Sequence, residues 1–226
     1  MRKQEQAIAL NPRYAKAHAK SAWGHLCDIA FGYSADAAVS MTKARAAAKA
    51  AVQCDDGEAW SHWAIAGCDF FSGQHDSALA TMRRAIELNP NDADVLIDMG
   101  IFCSYCGSAE EGLGFALKAM RLNPHHPEYY AAQLGAVYFD ARRYEDAVRT
   151  LESLRTAEVP LYSAYLAASR AALGHHDLAQ SAVTQLLAAD PTATVAHYTS
   201  PAVAPYRDDR DREHLAQHLR SAGLPY

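Results

Sequence analysis

The sequence predicts an all-α protein, an α-solenoid of stacked antiparallel helix pairs, and three observations carry that prediction. Half of the 226 residues are hydrophobic, with Ala very frequent and Val and Ile sparse, a balance that favours helix over strand through side-chain entropy. The tripeptide Leu-Asn-Pro occurs at residues 10–12, 88–90 and 122–124, each time at the end of an Ala-rich stretch. Pro90 and Pro124 are 34 residues apart and Pro191 lies 67 further on, one period of 34 plus one of 33. That recurrence is a repeat length.

The elements follow in order. Residues 2–10 read as the second helix of a pair. Residues 14–31 and 36–53 make a first full pair, 58–71 and 75–88 a second, and 92–105 with 108–121 a third. A fourth uses 127–139 and 143–156, and a fifth 159–172 and 176–188. The first pair departs from the period, because Pro12 to Asp55 spans 43 residues. Its helices or its Phe31-Gly32-Tyr33-Ser34 connection must be longer, and Asp55 stands where the proline is expected. Residues 190–207 form an extended link. The stretch DDRDREHLAQHLRSAGLP then reads as a last helix, with Leu215, Leu219 and Ala222 on one face, charges on the other and Gly223 as its stop. The chain thus reads as a single domain over 1–226: a half repeat at 1–12, helix pairs at about 13–56, 57–90, 91–125, 126–158 and 159–191, a link at 192–207 and a capping helix at 208–223, the cap that a solenoid requires.

Between the prolines one skeleton returns. Trp63-x2-Ala66-Gly67-x2-Phe70 is followed by Gly73, Ala78, Met82, Ala85 and Pro90, and Leu96-x2-Met99-Gly100-x2-Cys103 by Gly107, Ala119 and Pro124. Ala131-x2-Leu134-Gly135-x2-Tyr138 leads to Tyr144, Ala147 and Leu151, and the last copy keeps Leu166-Ala167, Gly174, Ala179, Val183, Leu186 and Pro191. Gly67, Gly100, Gly135 and Ala167 carry almost no side chain, so a partner helix can approach closely there. Gly100 and Gly135 should therefore tolerate no larger group. The helix with Gly112 and Gly114 should be the weakest, since interior glycine disfavours helix by about 1 kcal/mol. Proline ends each second helix because it lacks an N–H and clashes with the preceding turn. Asn before it tolerates the turn, and Asn91 or Asp92 after it can cap the next helix.

This pattern resembles the tetratricopeptide repeat, whose helix pairs run W-x2-L-G-x2-Y, then A-x3-F, then A-x4-P. The resemblance implies a right-handed superhelix whose first helices line a concave face. The stretches FGYSAD, RAIELNPNDAD, AMRLNPHHPEYY and REHLAQHLRSAGLP are also similar to the C-terminal repeat region that follows class III adenylate or guanylate cyclase domains in many bacteria, and to regions that follow winged-helix DNA-binding domains in bacterial regulators. None of the catalytic residues of a cyclase is present, so this likeness implies a regulatory or interaction segment and no enzyme.

Charge and motifs exclude several function classes. Lys and Arg total 21 against 26 Asp and Glu, a net charge of −5 with no basic stripe, which argues against nucleic acid as a direct partner. No apolar run approaches the roughly 20 residues that span a bilayer, and no signal peptide is read at the start, so no membrane partner and a cytoplasmic location are expected. The five cysteines match no disulfide framework. Cys103-x2-Cys106 has the spacing of a redox pair or half a zinc site. It falls in a predicted helix, however, at a position where the repeat wants a core residue, and no second such pair completes four ligands. A metal or redox protein is the remote alternative, and no cofactor is expected. His125-His126 and His175-His176 fall in turns, and Glu110-Glu111 and the carboxylates of 208–213 fall at helix starts that favour them electrostatically. There is no Gly-rich phosphate loop and no nucleophile elbow.

Function is therefore expected on the surface. The resemblance places Lys16, Ala19, Trp23 and Leu26, then Ser61, Ala64, Cys68 and Phe71, on the concave face. The third pair adds Asp94, Ile97, Ile101 and Ser104 with Tyr105 beside it, the fourth Tyr129, Ala132, Ala136 and Phe139, and the fifth Ala164, Ala168 and Ala171. The Lys, Arg and Asn set with which chaperone-binding members hold a peptide carboxylate is missing. A mostly apolar groove with aromatic anchors suits a protein or peptide segment laid in by its hydrophobic side, around Ile101, Tyr105, Tyr129 and Phe139. The expected function is a protein-protein interaction scaffold, a partner-binding module of a bacterial signalling protein such as a nucleotide cyclase. The alternative is a structural homo-oligomerisation element. Residues 2–10, which present Ala7, Ile8 and Leu10, should contact another copy or an upstream domain.

Overall fold

The computed structural model describes residues 2–30, 33–154 and 160–226. Among these residues it holds thirteen helices and no strand. They are α1 Arg2–Leu10, α2 Ala15–Ala30, α3 Ala37–Cys54, α4 Ala59–Phe70, α5 His75–Leu88, α6 Ala93–Tyr105, α7 Ala109–Leu122, α8 Glu128–Asp140, α9 Tyr144–Glu152, α10 Pro160–Ala172, α11 His176–Ala189, α12 Val195–Tyr198 and α13 Asp209–Ser221. The fold is all-α, built from antiparallel helix pairs. The middle of the long first connection, at residues 31–32, and the expected end of the 143–156 helix beyond Leu154 lie outside the described residues.

Two compact units divide the chain, Met1–Val95 and Leu96–Tyr226. In the first, α2 packs on α3 and on α4, α4 on α5, and α1 on α2. Its core is mostly alanine: Ala19, Ala22, Ala44, Ala48, Ala51, Ala64, Ala66, Ala78 and Ala85 are all fully buried. Small side chains let helix axes approach closely, and Trp63, Phe70 and Met82 fill the space that remains. In the second unit, α8 packs on α9, α10 on α8, α9 and α11, and α13 on α10. Tyr130, Phe139, Tyr165 and Tyr198 are among its largest fully buried side chains.

The joints follow one local rule. Asn11, Asp55, Asn89 and Asp190 each follow the last helical residue, and each side-chain oxygen accepts the backbone N–H two residues on, at 3.1, 2.9, 3.3 and 3.0 Å. An Asx turn of this kind redirects the chain without leaving a buried donor. Asp55 therefore occupies the asparagine's place, and Asp56 stands where the proline was expected. Sequence alone misplaced this joint by one residue, because carboxylate and carboxamide do the same work there. The cap expected from Asp92 forms: its carboxylate accepts from the N–H groups of Asp94 and Val95 at 3.1 and 3.2 Å.

Within the pairs, the turns place Gly73, Gly107 and Gly174 in the left-handed region, at φ of 76°, 83° and 75°. The turn between α8 and α9 puts Arg142 there instead, at φ 61°. A residue with a Cβ pays steric strain in that region, so its presence requires a reason beyond the turn.

The glycines on helices divide by what surrounds them. A Cβ on Gly100 would lie 3.1 Å from both Ala116 Cβ and the Gly112 carbonyl, and one on Gly135 would lie 2.5 Å from Leu151 Cγ. Gly112 answers Gly100 at the same crossing, where an added Cβ would collide with the Gly100 carbonyl oxygen. It is a packing residue and no mere weak point in α7, whereas Gly114 faces open space.

Candidate functional site

The first unit presents an aromatic and basic cluster on its first helices. Trp60 and Trp63 lie one turn apart on α4, both buried, with ring centroids 4.7 Å apart. Trp23 of α2 reaches them, its ring 4.3 Å from Trp63, and stays half-buried. The Trp60 indole N–H donates to Asp92 at 2.7 Å. Over the same ring sit the ammonium groups of Lys16 and Lys20, at 4.5 and 4.3 Å, since i and i+4 share one face of α2. Neither lysine is ion-paired among the described residues. Both border a hollow of about 350 Å³ between α1 and α2, together with Lys3, Gln4 and Tyr14. Phe71 caps α4, half-buried, its ring edge-on to Phe70. Lys16, Trp23 and Phe71 thus remain accessible, and Asp94 is half-buried at the start of α6. Trp23 also packs beside Gly67, so it serves the helix contact as well as the surface.

The second unit differs from the expectation of an open aromatic groove. Tyr105 is 5% exposed, and Phe139 and Ile97 are fully buried. Ile97 packs inside the helix array. The other two are covered by the C-terminal segment, which folds back over the first helices instead of only ending the stack. Tyr206 lays its ring on Tyr105 with centroids 4.6 Å apart. The Tyr165 hydroxyl donates to Tyr105 at 3.0 Å and lies 2.9 Å from that of Tyr206. Tyr206 in turn donates to Asp140 at 2.7 Å, and Ser104 donates to the other carboxylate oxygen at 2.6 Å. His214 and His218 of α13 cover Phe139, at ring distances of 5.2 and 6.0 Å. Of the expected anchors, Ile101 is half-buried and Tyr129 is 39% exposed. Tyr129 borders a cavity of about 540 Å³ with Tyr162, Leu166, Arg170 and Leu178.

Burial sets the electrostatics of this seam. It pushes the Asp140 carboxyl up to about 7, against the pull of its hydrogen bonds from Ser104 and Tyr206 and of nearby Arg142. It drives His214 down to about 4 and lowers His218, with Arg142 adding to both. The phenols of Tyr105, Tyr165 and Tyr206 are all raised, chiefly by burial. At neutral pH both histidines are therefore neutral. These groups come from five separate segments, and no local signal in the sequence joins them.

The described residues hold no cluster of three or more metal-ligating side chains. Cys103 and Cys106 are buried at the end of α6 and just beyond it, and burial raises the Cys68 thiol to about 11. Among the described residues no helix is long and apolar enough to cross a membrane.

Comparison with known proteins bears on what such a helix-pair array is. Residues 62–92 match the tetratricopeptide repeat family. The match covers α4 from residue 62 on, the turn at Gly73 and α5. No curated protein sequence matches the chain. Solved structures do. PilF of Pseudomonas aeruginosa is 18% identical, with 86% of this chain and 84% of that one aligned at a TM-score of 0.54. A thermophilic tetratricopeptide-repeat protein of Thermus thermophilus is 18% identical over 88% and 99% of the two chains, at 0.60. YrrB, described as a tetratricopeptide-repeat protein with an unusual peptide-binding site, is 20% identical over 77% and 90%, at 0.51. The fold is that of tetratricopeptide-repeat solenoids.

Proposed function

We propose that the chain is a protein-interaction scaffold whose first-helix face in the first unit receives a partner segment. The observation that carries this reading is the accessible cluster of Trp23, Lys16 and Lys20 around Trp60 and Trp63. Two ammonium groups without carboxylate partners sit over one indole, beside a half-buried tryptophan. Such a surface suits a segment that sets an acidic side chain next to an apolar one, because the lysines are already partly desolvated by the ring and the tryptophan supplies anchoring area. YrrB, which shares the fold, is described as binding a peptide, and this supports the reading by analogy of fold alone. The likeness to repeat regions behind bacterial nucleotide cyclases makes a regulatory role in a signalling protein the finer proposal.

The test uses a photo-crosslinking residue in place of Phe71 to trap and identify the bound protein, followed by titration of the purified pair. Trp23→Ala combined with Lys20→Glu should weaken binding by about 2 kcal/mol or more, as loss of an aromatic anchor does. Lys43→Ala on the far side of α3 should leave it unchanged. Equal affinity in the first variant would move the site off this face. A second reading, self-association through α1, is favoured by Leu10, which is 88% exposed. Light scattering of wild type and Leu10→Glu separates it, since only that reading expects the variant to dissociate a dimer.

A further inference from the structure

We infer that residues 203–218 are a tethered, releasable occupant of a second docking face, and that this face accepts a partner segment carrying a tyrosine followed by a helix with an acidic first turn. The inference rests on the scaffold reading above, that first-helix faces bind segments of partners.

Four observations carry it. The residues that the repeat pattern assigns to a binding face, Tyr105 and Phe139, are the ones this segment covers. The segment lies across them as a ligand would: the backbone N–H of Arg207 donates to the Tyr105 carbonyl at 2.9 Å, and the Tyr206 side chain enters between Tyr105, Tyr165 and Asp140.

The second observation is Arg142. It holds the left-handed turn position that glycine takes in three other pairs, and its guanidinium pairs with Asp211 in the first turn of α13 at 3.0 Å. The arginine reaches Tyr144 in its own turn as well, and the contact with Asp211 ties this strained position to the C-terminal helix.

Third, the seam sets a polar strip beside its apolar one, in which Val203, Ala204, Leu215 and Leu219 are buried. Facing α13 and Tyr206 are Tyr105 from α6, Asp140 and Arg142 at the end of α8, Tyr144 from α9 and Tyr165 from α10. From the segment come Tyr206, Asp211, Arg212, His214 and His218. His214 Nε2 is 3.0 Å from the Tyr144 hydroxyl, and Arg212 donates within the segment to the Tyr206 carbonyl. Buried polar contacts of this kind exchange for water with smaller net loss than apolar packing does.

Fourth, the two ends of the segment are tied to each other, within the unit that α13 joins by packing on α10. The Val195 N–H donates to the Pro225 carbonyl at 2.7 Å, α12 packs on α13, and Leu224 is buried. Movement of residues 195–226 together about the 190–194 joint, with loss of the α13 packing on α10, would leave Tyr105, Phe139, Asp140 and Tyr165 open for an incoming tyrosine and helix.

Two measurements on the full chain test this. Amide hydrogen exchange of residues 209–221 is compared with that of α8 and α10 in wild type, Arg142→Gly and Tyr206→Phe. A fluorescent synthetic peptide of residues 200–221 is then titrated into each. Release predicts that α13 exchanges by an opening separate from that of α8 and α10. Arg142→Gly should speed it roughly two- to five-fold, the range of an exposed ion pair, without lowering the thermal midpoint, because glycine relieves the turn. Tyr206→Phe, which keeps the ring and removes the hydrogen bond to Asp140 and the hydroxyl contact with Tyr165, should speed it roughly ten-fold. It should also let the peptide bind saturably, while a scrambled peptide does not bind.

If α13 exchanges only with α8 and α10 in all three proteins, the segment is permanent core and the inference fails. If α13 opens but the peptide does not bind Tyr206→Phe, the docking face fails. Self-association of the variant that the peptide competes away would assign the face to a second copy and overturn the partner assignment. Neither failure touches the Trp23 site of the first unit, whose test is separate.

Discussion

Replacing Gly112 and Gly114 by alanine, one at a time, tests the α6–α7 crossing with an internal control. Both sit inside α7, so both substitutions gain the same helix propensity and remove the same unfolded-chain freedom, together about 0.5–1 kcal/mol in favour of folding. Nothing lies within 4 Å of where a Cβ on Gly114 would be, so that gain should appear whole. It should raise the thermal midpoint by about 1–4 °C for a body of this size. At Gly112 the Cβ would collide with the Gly100 carbonyl oxygen, and Cys103 Cβ lies 3.4 Å away. Backbone cannot rotate aside as a side chain can, so the two helices must separate. Overpacking of this kind opposes folding by about 1–3 kcal/mol, and net destabilisation should reach about 1–2 kcal/mol. The difference between the two variants isolates the collision, since all other terms cancel. Circular dichroism melts with parallel urea titrations give the numbers. Variants equal to within about 0.3 kcal/mol, the scatter expected for independent sites, would refute the close crossing and with it the reason for glycine at 100 and 112.

Gly135→Leu should lower stability by about 1–3 kcal/mol, because a Cβ alone would already lie 2.5 Å from Leu151 Cγ; calorimetry with an unchanged midpoint would contradict the α8–α9 packing. Asp140→Asn should act in a pH-dependent way. The folded carboxyl titrates near 7 against an ordinary value of 3.8, so the native state binds the proton more tightly than the unfolded chain. Stability is then lost as pH rises from about 4 to about 7, and the loss is complete above that range. Asn keeps one acceptor oxygen and puts an NH2 donor where the other stood, so either the Tyr206 or the Ser104 hydroxyl must turn to accept; loss of the buried charge should still gain up to about 2–4 kcal/mol at pH 8 and nothing at pH 4, read from urea midpoints at both.

Much of the scaffold was legible because its rules are local. A period of 34, a small residue where helices cross and an Asx turn before proline each act within a few residues of chain, so a single sequence displays them. The joint at Asp55 was misread by one residue for the same reason: two residue types perform one function, and only the hydrogen bond from the Gly57 N–H to the Asp55 carboxylate tells which position is which. Gly112 was misread because its cause is not local. Its partner is the carbonyl of Gly100, twelve residues away on another helix, and propensity alone assigns glycine a penalty without seeing the contact that requires it.

The binding faces were legible in a more limited sense. Repeat position places Tyr105 and Phe139 on the first-helix side, where the C-terminal segment meets them. What covers them was not readable, since Tyr206 and His214 arrive from about 100 and 75 residues away and a helix with one apolar face looks the same whether it ends a stack or lies across it. One signal was present in the sequence all the same. The turn glycines recur at 73, 107 and 174, and the period calls for another near 142, where the chain has arginine. A missing glycine in an otherwise regular series marks a position where a side chain is needed more than an easy turn, and the partner of that side chain, Asp211, lies on the helix whose placement the pattern could not supply. The departure from the repeat therefore tells more here than the repeat does: regular positions build the helix array, while the irregular one marks a contact between the α8–α9 turn and the C-terminal helix.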